Sequence, residues 1–584
     1  MYKPLLYDVG SDREVITLFK GYDCNTVIDE NAFNDELNMS SDSYPAMSPR
    51  NKRAFFNIRG ADISALHSKS KLCYVKDGYL YYGGEKIESC YLGNSYKDRC
   101  FVSMGARLLV FPDKIYVNTN DFSDYGSLEA RFTGEGALLS MCKGDGTLYG
   151  DYTVSAVSPD SPENEDLWFD ISGDVHSLKQ YSASMGMWIE LSDTYVRIQC
   201  TGIGNGFNIE DGVILGGFSS VGLDGAHIIR DKGDDYITIS GVIKNAVTLN
   251  DPISVSRELP QMDFVCESGN RLWGCSSEHN EIYASKLGDP TNFNSFRGIS
   301  TDSYAVSVGS DGEFTSAVCY RGYVLFFKEG CVHKIYGQNP PYTVTTSYIR
   351  GVQKGCDSSV VCINETLYYK SPVGVYAYEG GIPINISAPL GNRFYKDAVG
   401  GAYMNKYYVC MSDMRGERHL FVFDTERRIW HREDNIDICS FAVNNCNLYF
   451  NERTGDGYRL GVIDGENMYG SFSYELSGYT LEDDVPWYAE SGLWGLKIPE
   501  NKYYGSFLLR ATGKKGSSIK ISCDLDSEDD YKELSEIKLT KTGSALIPVT
   551  TSRCDHMRMK IEGKGKVTIY SLMRKIETGS DAYV

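Results

Sequence analysis

Residues 366–381 read TLYYKSPVGVYAYEGG. Two alternating runs, Leu367-Tyr368-Tyr369 and Val375-Tyr376-Ala377-Tyr378, stand on either side of a short turn. β-Branched and aromatic residues at a period of two suit a pleated surface packed on both faces. A lone hairpin is only marginally stable in water. This hairpin therefore needs neighbours of its own kind, and the chain supplies them.

Six further stretches repeat the unit of apolar-aromatic strand, turn and second aromatic strand. They are LCYVKDGYLYYGG from Leu72, RLLVFPDKIYVNT from Arg107, RLWGCSSEHNEIYASKL from Arg271, YVLFFKEGCVHKIYG from Tyr323, KYYVCMSDMRGERHLFVFDTERRIWHRED from Lys406 and NLYFNERTGDGYRLGVID from Asn447. Their turns carry K-D-G, P-D, K-E-G and D-G, which are hairpin signals. From Arg271 onward the starts lie about 40 to 50 residues apart, and the first two about 35 apart, close to the repeat of a propeller blade. Stacking such blades radially buries their faces and leaves only short edges. The expected fold is all-β: a seven-bladed β-propeller with blades 1–2 over residues 55–127 and blades 3–7 over 261–467. Between them, residues 128–260 form an inserted β domain, rich in Gly and Asp, with strands such as TYVRIQ (194–199), 227–230 and YITI (236–239). Its pattern fits either a sandwich or a small barrel. In 287–292, Leu-Gly-Asp-Pro-Thr-Asn is turn chemistry that ends a strand and is expected to join one blade to the next.

Outside the hairpins the texture changes. Residues 1–54 hold much Asn, Asp, Ser and Pro (ENAFNDELNMSSDSYPAMSPR) and read as an extended N-terminal arm. Such an arm packs against a neighbour or threads back over its own domain. Residues 468–584 carry longer alternating runs, SFLLRAT from Ser506, SSIKISCDLD from Ser517, RMKIEG from Arg558 and KVTIYSL from Lys566, and read as a C-terminal β-sandwich.

Composition bounds the function. With 58 basic and 78 acidic residues the net charge is −20, a poor start for gripping phosphate backbones, so no specific nucleic acid is expected as a partner. No apolar run approaches the length of a membrane span, and the N-terminal residues lack an apolar signal core. The 17 cysteines include no C-x-x-C pair, which leaves zinc ribbons unsupported. Cys73, Cys319, Cys362 and Cys410 sit inside strand-like runs and are expected to be reduced and buried, as small core hydrophobes. The 43 tyrosines, against 24 Phe and 6 Trp, are read mainly as sheet-packing residues. Some could form binding surface or stack on sugar rings.

Four phrases carry a resemblance: NMSSDSYPAMSPRNKR (38–53), NRLWGCSSEHNEIYASKLGDPTNF (270–293), LFVFDTERRIWHRED (420–434) and RCDHMRMKIEGKGKVTIYSLMRKIETGSD (553–581). They resemble phrases of bacteriophage virion proteins. The order of arm, propeller and terminal sandwich is similar to the tail stabilisation, or hub, proteins of short-tailed phages, in which a propeller subunit joins the portal and adaptor ring to the tail tip. The resemblance implies a non-enzymatic structural component of a phage tail or head–tail joint, assembled in the host cytoplasm as a ring of several copies around the tail axis. Its partners would be other virion proteins: portal or adaptor ring, tail tip or fibre. The inserted domain has no counterpart in that group. Two rivals stand beside this reading, a tail-borne glycan-binding module for host recognition and a glycan-cleaving propeller enzyme.

No catalytic, cofactor or metal residues are assigned, no cofactor is expected, and no partner-binding residue is identified. Four stretches nevertheless imitate sites. Asp524-Leu525-Asp526-Ser527-Glu528-Asp529-Asp530 opens like a calcium loop, but Asp529 stands where Gly is needed and Ser535 where the closing Glu belongs; a solvated acidic turn is expected. Gly202-Ile203-Gly204-Asn205-Gly206 lacks the following helix of a phosphate loop. Ser310-Asp311-Gly312-Glu313-Phe314-Thr315 departs from the Asp-box spacing of sialidase-like propellers. Arg553-Cys554-Asp555-His556 reads as a strand-edge ion pair rather than a Cys/His nucleophile, which would need an oriented base and an oxyanion site. No pair of the 78 acidic residues is singled out for glycoside hydrolysis.

Overall fold

The computed structural model describes residues 10–60, 62–93, 99–469, 478–498, 501–539, 541–549 and 553–578. The chain is all-β, and no α-helix occurs among these residues. It divides into two compact units. One comprises residues up to 99, 327–332 and 346 onward; the other comprises 100–326 and 333–345.

Each of the seven hairpins is the central pair of an antiparallel sheet of four strands or more. In the first unit one sheet runs Ile63–Lys69, Lys71–Lys76, Tyr79–Tyr82, Glu85–Tyr91, and a second runs Val361–Ile363, Thr366–Ser371, Gly374–Tyr378, Ile384–Asn385. A third runs Lys396–Tyr403, Lys406–Ser412, Arg418–Asp424, Ile429–Arg432. The last combines Ile438–Asn444, Asn447–Thr454 and Gly457–Val462 with Ala54–Gly60 from the far end of the chain, Val462 facing Ala54. Tyr479–Leu481 then adds to the outer side of Ala54–Gly60. That strand falls in the 468–584 block expected to be a separate domain, so this boundary is corrected: pairing with the last hairpin sheet persists to Leu481.

The tyrosines explain how the sheets hold together. Tyr74 and Tyr81 stack at 5.1 Å across their hairpin, and Tyr368 stacks on Tyr407 of the next sheet at 5.5 Å. Both Tyr369 and Tyr407 are completely buried. Their hydroxyls donate to the backbone carbonyls of Arg350 and Ser359, each at 2.7 Å. A large ring is thus buried without leaving its polar tip unpaired.

The first unit also holds two sheets that share one core. The first has the order Gly10–Ile16, Val567–Thr578, Lys502–Gly513, Gly543–Pro548; the second runs Phe33–Leu37, Trp487–Ser491, Met557–Lys564, Ser517–Leu525, Lys532–Leu539. Trp487, Phe507, Ile519, Ile521, Met557 and Ile569 lie between them, joined by Phe19, Phe33, Met39 and Met47 from the arm. The arm therefore supplies an edge strand to each sheet and four side chains to their core, rather than forming a segment of its own.

In the second unit, Cys100–Met104 to Tyr125–Ser127, Phe264–Glu267 to Tyr304–Ser307, and, for most of their length, Phe314–Tyr320 to Thr343–Ser347 are four-stranded antiparallel sheets. The turn at 287–292 lies between the third and fourth strands of one sheet and does not lead to the next. The short fourth strand, Tyr304–Ser307, is too brief to stand out in the sequence. Residues 130–257 pair among themselves. An eight-stranded antiparallel sheet bends at a bulge between Ile229 and Asp231 and encloses Leu139, Val196, Ile198, Phe218, Ile237 and Val255. A small second sheet, Thr153–Ser155, Leu167–Asp170, Ser177–Ser182, Met187–Glu190, packs Phe169 and Leu178 onto the same core.

All 17 cysteines are free. Cys73 and Cys410 are buried, but Cys319 and Cys362, expected in a core, are exposed. Both lie on first strands of their sheets. No helix of the described residues is long and apolar enough to cross a membrane.

Candidate functional site

The densest chemistry among the described residues lies where the arm meets the hairpin sheets of the first unit. Tyr22 donates its N–H to the carbonyl of Trp430 at 2.7 Å, and Gly21 beside it has φ +71°. A Cβ at Gly21 would sit 2.4 Å from that carbonyl, so only glycine admits the approach. Further on, buried Glu36 faces His431, with Oε1 and Nδ1 2.8 Å apart, and accepts the N–H of Arg432 at 3.2 Å. Asn38 Oδ1 accepts from Arg50 Nε at 2.9 Å and from the N–H of Asp434 at 3.1 Å. Ser41 Oγ donates to Asp424 at 2.6 Å.

The segment ends in a buried charge cluster. Arg53, with 2% side-chain exposure, contacts Glu433 at 2.5 Å, Asp434 at 2.8 Å and Glu482 at 3.6 Å. Arg50 contacts the same three carboxylates at 3.4, 3.1 and 2.7 Å. Burial acts to raise the carboxyl groups of Asp434 and Glu482, but the two arginines outweigh it and hold both below the ordinary carboxylate range. Two cations thus face three anions across the seam between the arm, the end of Ile429–Arg432 and the 479–482 segment.

Beside the cluster is a cavity of about 40 Å³ lined by Ser40, Asp42, Arg53, Tyr403, Lys406 and Asp464. Lys406 Nζ donates to Ser40 Oγ at 2.9 Å and to Asp42 at 2.5 Å, and Tyr403 donates to Asp464 at 3.1 Å. Burial opposes ionisation of Asp42, yet the charge of Lys406 prevails and the carboxyl of Asp42 is held below its ordinary range. About 10–15 Å³ of such volume accommodates one water, so this space suits a few waters. Ligand pockets for small molecules run to roughly 300 Å³ and more.

A second constellation escaped the sequence. Ser527 Oγ lies 2.8 Å from His556 Nε2, and His556 Nδ1 lies 2.9 Å from Asp555 Oδ2. These are the first two links of a nucleophile–base–orienter chain. The third requirement fails: the consecutive N–H groups of Asp555 and His556, which could have received an oxyanion, both donate to Asp526 Oδ1, at 2.8 and 3.2 Å. A fixed carboxylate occupies the place where negative charge would have to develop. Cys554 is no nucleophile either, since it is buried and burial pushes its thiol up to about 11. Arg553-Cys554-Asp555-His556 and the acidic turn are brought together as a latch between two loops.

The remaining motifs stay apart from one another. Asp524 belongs to the strand Ser517–Leu525, whose last five residues are all buried, and is completely buried, not solvated as expected; Asp526 to Asp530 are exposed. Glu536 lies in the next strand, Lys532–Leu539, opposite Lys520, and cannot close a calcium loop. Residues 202–206 form a turn in which a Cβ at Gly204 would strike the carbonyl of Gly233 at 1.8 Å. Ser310 Oγ pairs with His333 Nε2 at 2.8 Å inside the second unit. Asp413, Glu417 and His419 approach one another in a hairpin turn. Asp413 there already accepts the N–H groups of Arg415 and Glu417 at 2.8 and 3.0 Å.

No protein-family model and no curated protein matches the chain. Among solved structures it is similar to an exo-β-1,3-galactanase from Phanerochaete chrysosporium, at 8% identity over 51% of this chain and 93% of that one, TM-score 0.21. It is also similar to PorZ, a surface component of the type-IX secretion system of Porphyromonas gingivalis, at 12% identity over 84% of this chain and 71% of that one, TM-score 0.27. A third likeness is to a putative 6-phosphogluconolactonase from Bacteroides uniformis, at 10% identity over 71% and 99%, TM-score 0.23. Scores this low carry no functional argument for this chain.

Proposed function

We propose that this chain is a non-enzymatic structural component of a phage tail or head–tail joint, assembled as several copies around the tail axis. In this reading the seven hairpin sheets are the blades of a β-propeller, closed by Ala54–Gly60 against Gly457–Val462, and the two C-terminal sheets form a sandwich. One observation carries the proposal: three of the four phrases that resemble phage virion proteins meet in space. Arg50 and Arg53 of the first hold Glu433 and Asp434 of the third, and Met47 and Ile569 of the first and last exchange both backbone hydrogen bonds, at 3.1 and 2.9 Å. The residues that carry the resemblance thus build a clasp, which is mechanical chemistry. The work of the chain would be to hold neighbours in register: portal or adaptor ring on one side, tail tip or fibre proteins on the other.

Electron microscopy of particles carrying this chain tests the proposal. Copies arranged around the axis between portal and tail tip are the expected result. Copies only at an exposed tip, or a chain that stays monomeric with its neighbours present, would reject it. Turnover on host glycans that disappears with a single carboxylate substitution would replace it with the enzyme reading.

A further inference from the structure

The small sheet of the inserted domain has two unlike faces. Phe169 and Leu178 point into the domain core. The opposite face follows from the pairing register, in which Trp168 faces Lys179, Lys179 faces Glu190, and Tyr181 faces Trp188. It therefore carries a row Trp168, Lys179, Glu190 beside a row Tyr181, Trp188. Two of the six tryptophans of the chain lie on this one face.

The rings form a continuous group. Trp188 lies 5.5 Å from Trp168 and 5.3 Å from Tyr181, at interplanar angles of 67° and 59°. Trp168 is nearly buried, with Lys179 Nζ 5.0 Å from its ring centre and its indole N–H given to the carbonyl of Ser155 at 3.0 Å. Trp188 and Tyr181 are only half-buried, and Trp188 sits on the last strand of the sheet, whose outer edge is unpaired among the described residues. Trp188 and Tyr181 thus present aromatic surface to solvent, held in place by Trp168 behind them.

Charge selects what that surface can take. Lys179 is tied to Asp170 at 2.7 Å and stands in the middle of the face. An incoming cation would meet its ammonium group. An incoming anion would meet Glu190 and the surrounding chain, where residues 151–190 hold eight Asp or Glu and one Lys. A neutral polyhydroxylated ring meets neither penalty. Its C–H face stacks on the electron-rich indole, and its hydroxyls find an acceptor in Glu190 and a donor in Lys179.

We infer that this face of the inserted domain is a binding site for a neutral polysaccharide, with Trp188 and Tyr181 as the stacking platform and Glu190 and Lys179 as hydrogen-bonding partners. The inference does not rest on the assembly role proposed above and stands whether or not that role holds. It gives the insertion a task distinct from the clasp.

Affinity electrophoresis of the full-length chain through gels containing dextran, galactomannan or a mixed-linkage β-glucan tests it. At least one polymer should retard the chain. Trp188→Ala should weaken that binding about tenfold or more, whereas Trp188→Phe, which keeps a ring, should stay within about threefold. Because Trp188 contributes to packing, Glu190→Gln serves as a second variant that leaves the rings untouched; it should weaken binding several-fold with an unchanged melting temperature. Retardation by none of the three polymers overturns the inference. So does retardation that survives both Trp188→Ala and Glu190→Gln, or binding of polygalacturonate or oligolysine as tight as that of any neutral polymer.

Discussion

Replacing Arg53 by Met keeps the length of the buried stem and removes the charge that faces Glu433, Asp434 and Glu482. Glu433 has 4% side-chain exposure and cannot turn to water. Two unit charges 4 Å apart interact by about 4 kcal/mol at an effective dielectric constant near 20. Arg50 stays in place, so the three carboxylates keep one cation among them. Breaking a buried ion pair by removing one partner typically costs about 3–5 kcal/mol, because the other charge is left uncompensated. Arg53→Met should therefore fall in that range. One donor of Arg53, its Nε, has no partner in the wild type, which favours the lower half.

The cost should appear where the arm is held. Hydrogen exchange read by mass spectrometry on peptides covering residues 33–60 reports local opening. At tenfold per 1.4 kcal/mol, protection should drop by about a hundredfold to a few thousandfold. Glu433→Gln added to Arg53→Met should recover part of the loss, since a neutral amide tolerates burial without a cation. Acid should shrink the difference as well. In the wild type Asp434 and Glu482 contribute stability above their unfolded pKa values, and this is lost as pH falls through their lowered folded values. The variant has less of that contribution to lose. A cost below about 1 kcal/mol, or a double variant equal to the sum of the singles, would refute the claim that charge pairing holds the arm.

Three further outcomes follow from the same geometry. Gly21→Ala places a methyl group against the carbonyl of Trp430 in a left-handed backbone, and should cost about 2–4 kcal/mol in urea unfolding, with faster exchange at Tyr22. Burial, and secondarily Lys69, holds the His67 imidazole down at about 4. Its neutral form thus contributes fully above about pH 6.5 and is lost as pH falls toward 4, by at most about 3 kcal/mol, so His67→Gln should flatten the pH dependence of the urea midpoint across that window. Ser527, with Asp526 filling the would-be oxyanion position, should resist a fluorophosphonate probe, and Ser527→Ala should change stability by no more than about 1 kcal/mol; stoichiometric labelling of Ser527 would contradict the latch assignment.

How much of this was legible in the sequence depends on the range of the interaction. The hairpins were legible because their signal is local: Tyr376 and Tyr378 alternate with Val375 and Ala377, and a turn a few residues long fixes the pairing. The strand Ala54–Gly60 was not, because its partner Gly457–Val462 lies some 400 residues away and nothing near residue 54 announces it. The same holds for Tyr479–Leu481, three residues long and placed by that pairing alone. Among chemical groups, the acidic turn and Arg553-Cys554-Asp555-His556 each looked like a weak motif alone. Only the return of the chain sets Ser527 beside His556 and Asp526 beneath two N–H groups. That juxtaposition both creates the likeness to a catalytic chain and removes its function. The aromatic face of the insertion lay between these extremes. Trp168, Tyr181 and Trp188 were visible as residues, but their shared face rests on the antiparallel register of Leu167–Asp170, Ser177–Ser182 and Met187–Glu190, where a slip of one residue would send Trp188 into the core side. Register, then, is the quantity that separates a tyrosine-rich chain from one with a clasp at its arm and a platform on its insertion. Arg53→Met and Trp188→Ala probe these two features independently, in separate compact units of the chain.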